Sequence, residues 1–200
     1  MEDTYRTLAA PAEGLYKEKG SKFISLAYPV YSEEEIKEIY AGLKKQYYDA
    51  RHHCYAYSLG ADKSRYRAND DGEPNHSAGD PILGQIRSAD LSNVLVVVVR
   101  YFGGIKLGVS GLIHAYKTAA ADAIANASII EKHEMALLQV NFEYLQMNEV
   151  MSLVKEYNLE MRDQQFELSC KLTLEVRKSL QDEVTTKLES VPGVLVQELL

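Results

Sequence analysis

The segment from Asn93 to Phe102 restricts the possible folds more than any other part of this 200-residue chain. Its unbroken aliphatic run, Val94 to Val99, is apolar on both faces of an extended strand. Only a strand covered on both sides can carry such a run, which predicts a central strand in a sheet with layers above and below. The run is far short of the ~20 residues that span a bilayer. It continues into Gly103-Gly104-Ile105-Lys106-Leu107-Gly108-Val109-Ser110-Gly111, then into an alanine-rich stretch. Leu112, Tyr116, Ala120, Ala123, Ile124 and Ala127 form one face of a helix over about 110–127.

Other periodicities surround this centre. Gly14–Lys17 and Lys22–Tyr28 read as strands joined at Lys19-Gly20. Ser32-Glu33-Glu34-Glu35 is a capping box. It opens a helix over 33–47 with Ile36, Ile39, Tyr40, Leu43 and Tyr47 inward. His53–Gly60 reads as a strand, Ala61–Asn75 as a polar, turn-rich connection, and residues 77–88 as a short helix. In the last third, Leu138, Val140 and Phe142 alternate, and so do Leu168, Cys170, Leu172, Leu174 and Val176. Helical spacing links Met147 to Tyr157 and Leu180 to Val191, with a short strand near Leu159-Met161 and a last one over Val194–Leu199. The order is β-α-β-β-α-β, the ferredoxin-like arrangement. The fold class is α+β, with domains over 1–133 and 134–200.

Charge separates the two halves. Residues 1–133 hold 16 Lys and Arg against 17 Asp and Glu, a net of −1; residues 134–200 hold 6 against 12, a net of −6. An acidic chain binds polyanions only through a local patch, because backbone affinity for nucleic acid comes from phosphate neutralisation. No apolar leader follows Met1, and Cys54 and Cys170 stand far apart, so the expected setting is the reducing cytoplasm with no membrane contact.

Two segments carry chemistry. In Asn69–Gly79, Asp70, Asp71 and Glu73 with His76 can bind a divalent cation or move protons, or can cap the amides of a turn at Gly72. In Arg100–Gly111, a strand ends, glycines turn the backbone and a helix starts, which favours an anion. Arg100 and Lys106 add charge there, and no acid lies between Asp90 and Asp122. Arg100, Gly103, Gly104, Lys106, Gly108 and Ser110 are therefore the candidate anion or nucleic-acid contacts. The spacings match neither a Walker A loop nor a dinucleotide fingerprint. His52-His53-Cys54 with His76 offers zinc-ligand types, but neighbours on a strand face opposite ways and do not converge. No metal or cofactor is expected. Tyr55, Tyr57, Tyr66 and Tyr101 are candidates for base stacking or for packing at a core edge.

Four blocks carry a family resemblance: His53-Cys54-Tyr55-Ala56-Tyr57, Asp70-Asp71-Gly72-Glu73-Pro74, Ala78-Gly79-Asp80-Pro81-Ile82-Leu83, and Val99–Gly108. In order and spacing they resemble the IMPACT/YigZ family over about residues 1–130. The acidic last third resembles the small second domain of its bacterial members. The resemblance implies a first domain with the fold of the second domain of ribosomal small-subunit protein five, also found in elongation factor G and the GHMP kinases. It implies regulation of translation, which eukaryotic members perform by protein–protein competition; for bacterial members nucleic-acid binding is inferred from fold. The chain departs from the pattern at Asn75-His76-Ser77, where a glycine and a threonine are usual. It departs again at Val109-Ser110-Gly111, and at His114, where an arginine is common and whose loss lowers the charge of the helix. The expectation is a translation-associated, non-enzymatic protein that contacts RNA or the ribosome. The alternatives are an enzyme acting on a phosphorylated small molecule or nucleotide, and an adaptor whose acidic second domain captures a protein.

Overall fold

The computed structural model describes residues 3–199, which divide into two compact units. One spans Tyr5–Lys132; the other is formed by residues 3–4 with 133–199.

The first unit is built on a five-stranded antiparallel sheet. Its strands are β2 (Ala12–Glu18), β3 (Ser21–Pro29), β4 (His52–Leu59), β5 (Arg65–Asn69) and β6 (Val94–Tyr101), in the order β2-β3-β6-β4-β5. The aliphatic run is the middle strand, β6. Val94, Val96 and Val98 face a layer formed by helices α2 (Gly79–Ser88) and α3 (Gly108–Ala125). Leu95, Val97 and Val99 pack on the other side, with Ile36 and Leu43 of α1 (Glu33–Gln46). All six are fully buried, so the apolar pattern on both faces is explained by a three-layer helix–sheet–helix arrangement. The Ser32 hydroxyl accepts from Glu35 N at 3.1 Å, and Glu35 accepts in return from Tyr31 N at 2.8 Å.

Three strands escaped the periodicity. β5 lies in the stretch read as turn-rich; Arg65, Tyr66 and Arg67 are exposed, and backbone pairing with β4 makes it a charged edge strand. β1 (Thr4–Leu8) and β7 (Ile129–His133) pair as a two-stranded ribbon. Helix α3 also begins at Gly108, inside the segment read as loop.

The second unit contains β8 (Met135–Glu143), α4 (Met147–Glu156), β9 (Glu160–Phe166), β10 (Ser169–Arg177), α5 (Gln181–Glu189) and β11 (Leu195–Leu199). Its antiparallel sheet has the order β11-β8-β10-β9, the ferredoxin-like arrangement implied by the alternation. Leu138, Val140, Phe142, Cys170, Leu172, Leu174 and Val176 are buried with Val150, Val154, Val184 and Leu188 of its two helices. Leu168 departs from the pattern: β10 starts one residue later and Leu168 is exposed. Asp3 is fixed to this unit. Its carboxylate accepts from Arg177 Nη2 at 2.7 Å and from the Ser179 hydroxyl at 2.6 Å. No helix among the described residues is long and apolar enough to cross a membrane.

Candidate functional site

The alternation of β6 decides where its last residues point. Arg100 continues the face of Val96 and Val98, so its side chain enters the layer beneath the start of α3. There its guanidinium lies 5.5 Å from the Phe23 ring and 5.7 Å from the Phe102 ring. Only 6% of Arg100 is exposed. A buried guanidinium needs a carboxylate, and Glu73 supplies it: Arg100 Nη1 donates to Glu73 Oε1 at 2.5 Å. The Tyr116 hydroxyl donates to the same oxygen at 2.7 Å. Behind Tyr116, the Cys54 thiol sits 3.4 Å from its hydroxyl and 3.0 Å from the Asp70 carbonyl oxygen. Burial holds the Cys54 thiol and the Tyr116 phenol well above their ordinary pKa values, so both remain protonated. Arg100 Nε has no hydrogen-bond partner in the protein.

The other carboxylates of the acidic turn build the turn itself. Asp70 Oδ1 accepts from Ala78 N at 3.0 Å and Gly79 N at 2.8 Å, capping α2 from a distance, while Oδ2 accepts from His76 N at 2.8 Å. Asp71 Oδ2 accepts from His53 N at 2.7 Å. His76 is exposed and pairs with Asp80 Oδ2 at 2.6 Å, a bond that raises its pKa. Of the four acidic-site candidates, only Glu73 is brought to Arg100. Among the described residues no cluster of three or more His, Cys, Asp or Glu can hold a metal ion; the His53 ring bonds Tyr47 O at 2.9 Å, and Cys54 is interior.

The glycine-rich loop is shaped by contacts as much as by turns. A Cβ on Gly103 would lie 1.9 Å from the Gly20 carbonyl carbon, so the β2–β3 turn seats directly on Gly103. Gly104 and Gly108 adopt φ of +90° and +72°, values open to glycine at little cost. Helix α3 then starts without a side-chain cap and without an acid in its first turn. Its leading amides and dipole favour negative charge.

These elements line a half-open pocket of about 450 Å³. Arg51, Arg100 and Lys106 bring three cations to it against the Glu73 carboxylate, and His52 lies beside them, its Nε2 3.9 Å from Glu73 Oε2. Phe102, Pro74, Leu107, Val109 and Leu112 supply apolar wall, and Gly108 contributes backbone. Arg100, Lys106 and Gly108 thus meet in one cavity, whereas Gly103, Gly104 and Ser110 do not line it. Sequence reading missed Arg51, weighed His52 only as a zinc-ligand type, and gave Phe102 no contact role. His52 lies opposite Arg100 in the β4–β6 register, a pairing that no local pattern reveals. Of the four tyrosines considered for stacking, Tyr55 and Tyr57 are buried and Tyr101 donates to Asp49 Oδ1 at 2.8 Å. Tyr66 is exposed on β5 with Arg87 over its ring. The exposed ring at the pocket is Phe102.

The Impact N-terminal domain family matches residues 19–124, the stretch that contains this pocket. An IMPACT family member from Haemophilus influenzae is 32% identical over 185 residues, covering 91% of this chain and 90% of that protein. The IMPACT family member YvyE of Bacillus subtilis is 33% identical over 163 residues, covering 82% of this chain and 75% of that one. A crystal structure of a hypothetical protein superposes on the whole chain with a TM-score of 0.74 at 28% identity, with 98% of that chain covered.

Proposed function

The chain belongs to the IMPACT family, and from that premise we propose that it is a translation-associated protein that contacts RNA or the ribosome through the pocket at the start of α3. The observation that carries this reading is the charge of the pocket. Three cations face it against one carboxylate, at a helix start with no side-chain cap and no first-turn acid. That combination suits a phosphate. It is a local patch on a chain of net charge −7, the form that RNA affinity must take here. The acidic turn supports a binding role over a catalytic one. Asp70 and Asp71 give their oxygens to backbone amides, and the Glu73 carboxylate is bound by Arg100 and Tyr116.

The test is the salt dependence of binding to a single-stranded RNA, measured by fluorescence anisotropy. Arg51→Ala combined with Lys106→Ala alters two exposed cations and spares the buried network. The expected result is weaker binding and a log–log salt slope shallower by about 0.7 for each phosphate no longer neutralised. Unchanged affinity and slope would overturn the reading.

A further inference from the structure

We propose that this pocket receives a terminal phosphate monoester on a single nucleoside, the chemistry shared by a 5′-phosphorylated RNA end and a free mononucleotide. This inference rests on the RNA-contacting reading and sharpens it from phosphate binding in general to phosphate ends.

Arg100 is the first reason. It is buried, it lines the pocket, and its Nε–H meets no acceptor within the protein. Glu73 engages Nη1, and the Phe23 and Phe102 rings lie 5.5 and 5.7 Å from the guanidinium. Nε is shut off from solvent, whereas Nη2 donates to nothing among the described residues and carries charge to the pocket wall, where a seated oxyanion accepts from it. The second reason is access. An internal phosphodiester carries a nucleoside on each side, so bringing it to a buried arginine requires the strand to enter and leave. A terminal monoester reaches the same place as a projecting end. A volume of about 450 Å³ falls in the range that encloses one small ligand.

Charge gives the third reason. Arg51, Arg100 and Lys106 against Glu73 leave two net positive charges. A monoester near neutral pH carries about −1.5 to −2, whereas a diester carries a single negative charge. The uncapped amides of α3 add to the same field. Phe102, 47% exposed at the pocket, offers one aromatic face to the base of that nucleotide.

The experiment uses the full chain and two 3′-labelled RNAs of identical sequence, one with a 5′-phosphate and one with a 5′-hydroxyl. Unlabelled AMP and adenosine serve as competitors. The 5′-phosphorylated RNA should bind about tenfold tighter or more, and AMP should compete where adenosine does not. Arg51→Ala with Lys106→Ala should erase the difference. Because Arg100 also holds Glu73, this exposed pair carries the test, and Arg100→Lys, checked for folding by circular dichroism, is the second variant. Equal affinity for the two RNAs, both weakened by the double variant, would overturn the inference and leave the RNA-contacting reading standing. AMP binding without RNA binding would support the monoester site, assign its ligand to free nucleotides and overturn the RNA reading. Binding of neither RNA nor AMP would overturn both.

Discussion

Glu73 and Tyr116 hold Arg100 in place, and the energetics of the site are concentrated in these side chains. Tyr116→Phe removes the hydroxyl that donates to Glu73 and leaves the ring packed on Phe23 at 5.2 Å. It should lower unfolding free energy by about 1–2 kcal/mol in urea titration. Glu73→Gln leaves Arg100 buried without its anion and should cost more, roughly 3 kcal/mol. Near-equal losses for the two would mean that the ion pair adds nothing beyond a neutral hydrogen bond. Asp3 gives a pH-dependent case. Its hydrogen bonds with Arg177 hold its carboxyl well below the usual range, aided by Ser179. The unfolded chain binds this proton near pH 4, so the ionised group's contribution is complete above that pH. It is lost as pH falls toward the lower native value. Asp3→Asn should therefore destabilise the protein at pH 7, and the gap to the unaltered chain should narrow below about pH 4. A gap that stays constant with pH would contradict the assignment.

Close backbone contact positions the site at the level of elements. The β2–β3 turn rests on Gly103, so Gly103→Ala must part the hairpin from the glycine-rich loop. The expected cost is about 1–3 kcal/mol, together with weaker RNA binding, because the loop carries Lys106 and leads into α3. A variant of full stability and full affinity would show that this seat is dispensable. The elements differ in how far the sequence reveals them, and burial is the reason. β6 and β10 alternate or run apolar because each buries side chains against helices, and both were legible. β5 and β7 are short and expose most of their side chains, while β1 is short and buries only Thr7 and Leu8; all three are defined by backbone pairing, so no hydrophobic period marks them. The site was half legible for a similar reason. Glycines, Arg100, Lys106 and an acid-free stretch announce an anion-favouring loop. Asp70, Asp71 and Glu73, however, look alike in a turn. Only the β4–β6 register and the amides of His53 and Gly79 separate the two that build the turn from the one that turns inward.

For the whole molecule, charge is divided by region. Residues 1–133 are almost neutral at −1 and residues 134–200 carry −6. A polyanion should be held through the first unit, with the acidic residues of the second opposing nonspecific adhesion. Binding should accordingly weaken steeply as salt rises. The most direct test of the central claim is sucrose-gradient sedimentation of the tagged chain in a cell lysate, at low and at moderate salt, beside the Arg51→Ala, Lys106→Ala variant. The account predicts migration with ribosomal particles at low salt, release as salt rises, and little co-migration of the variant. A chain that stays at the top of the gradient at both salts, or a variant that migrates like the unaltered protein, would contradict it.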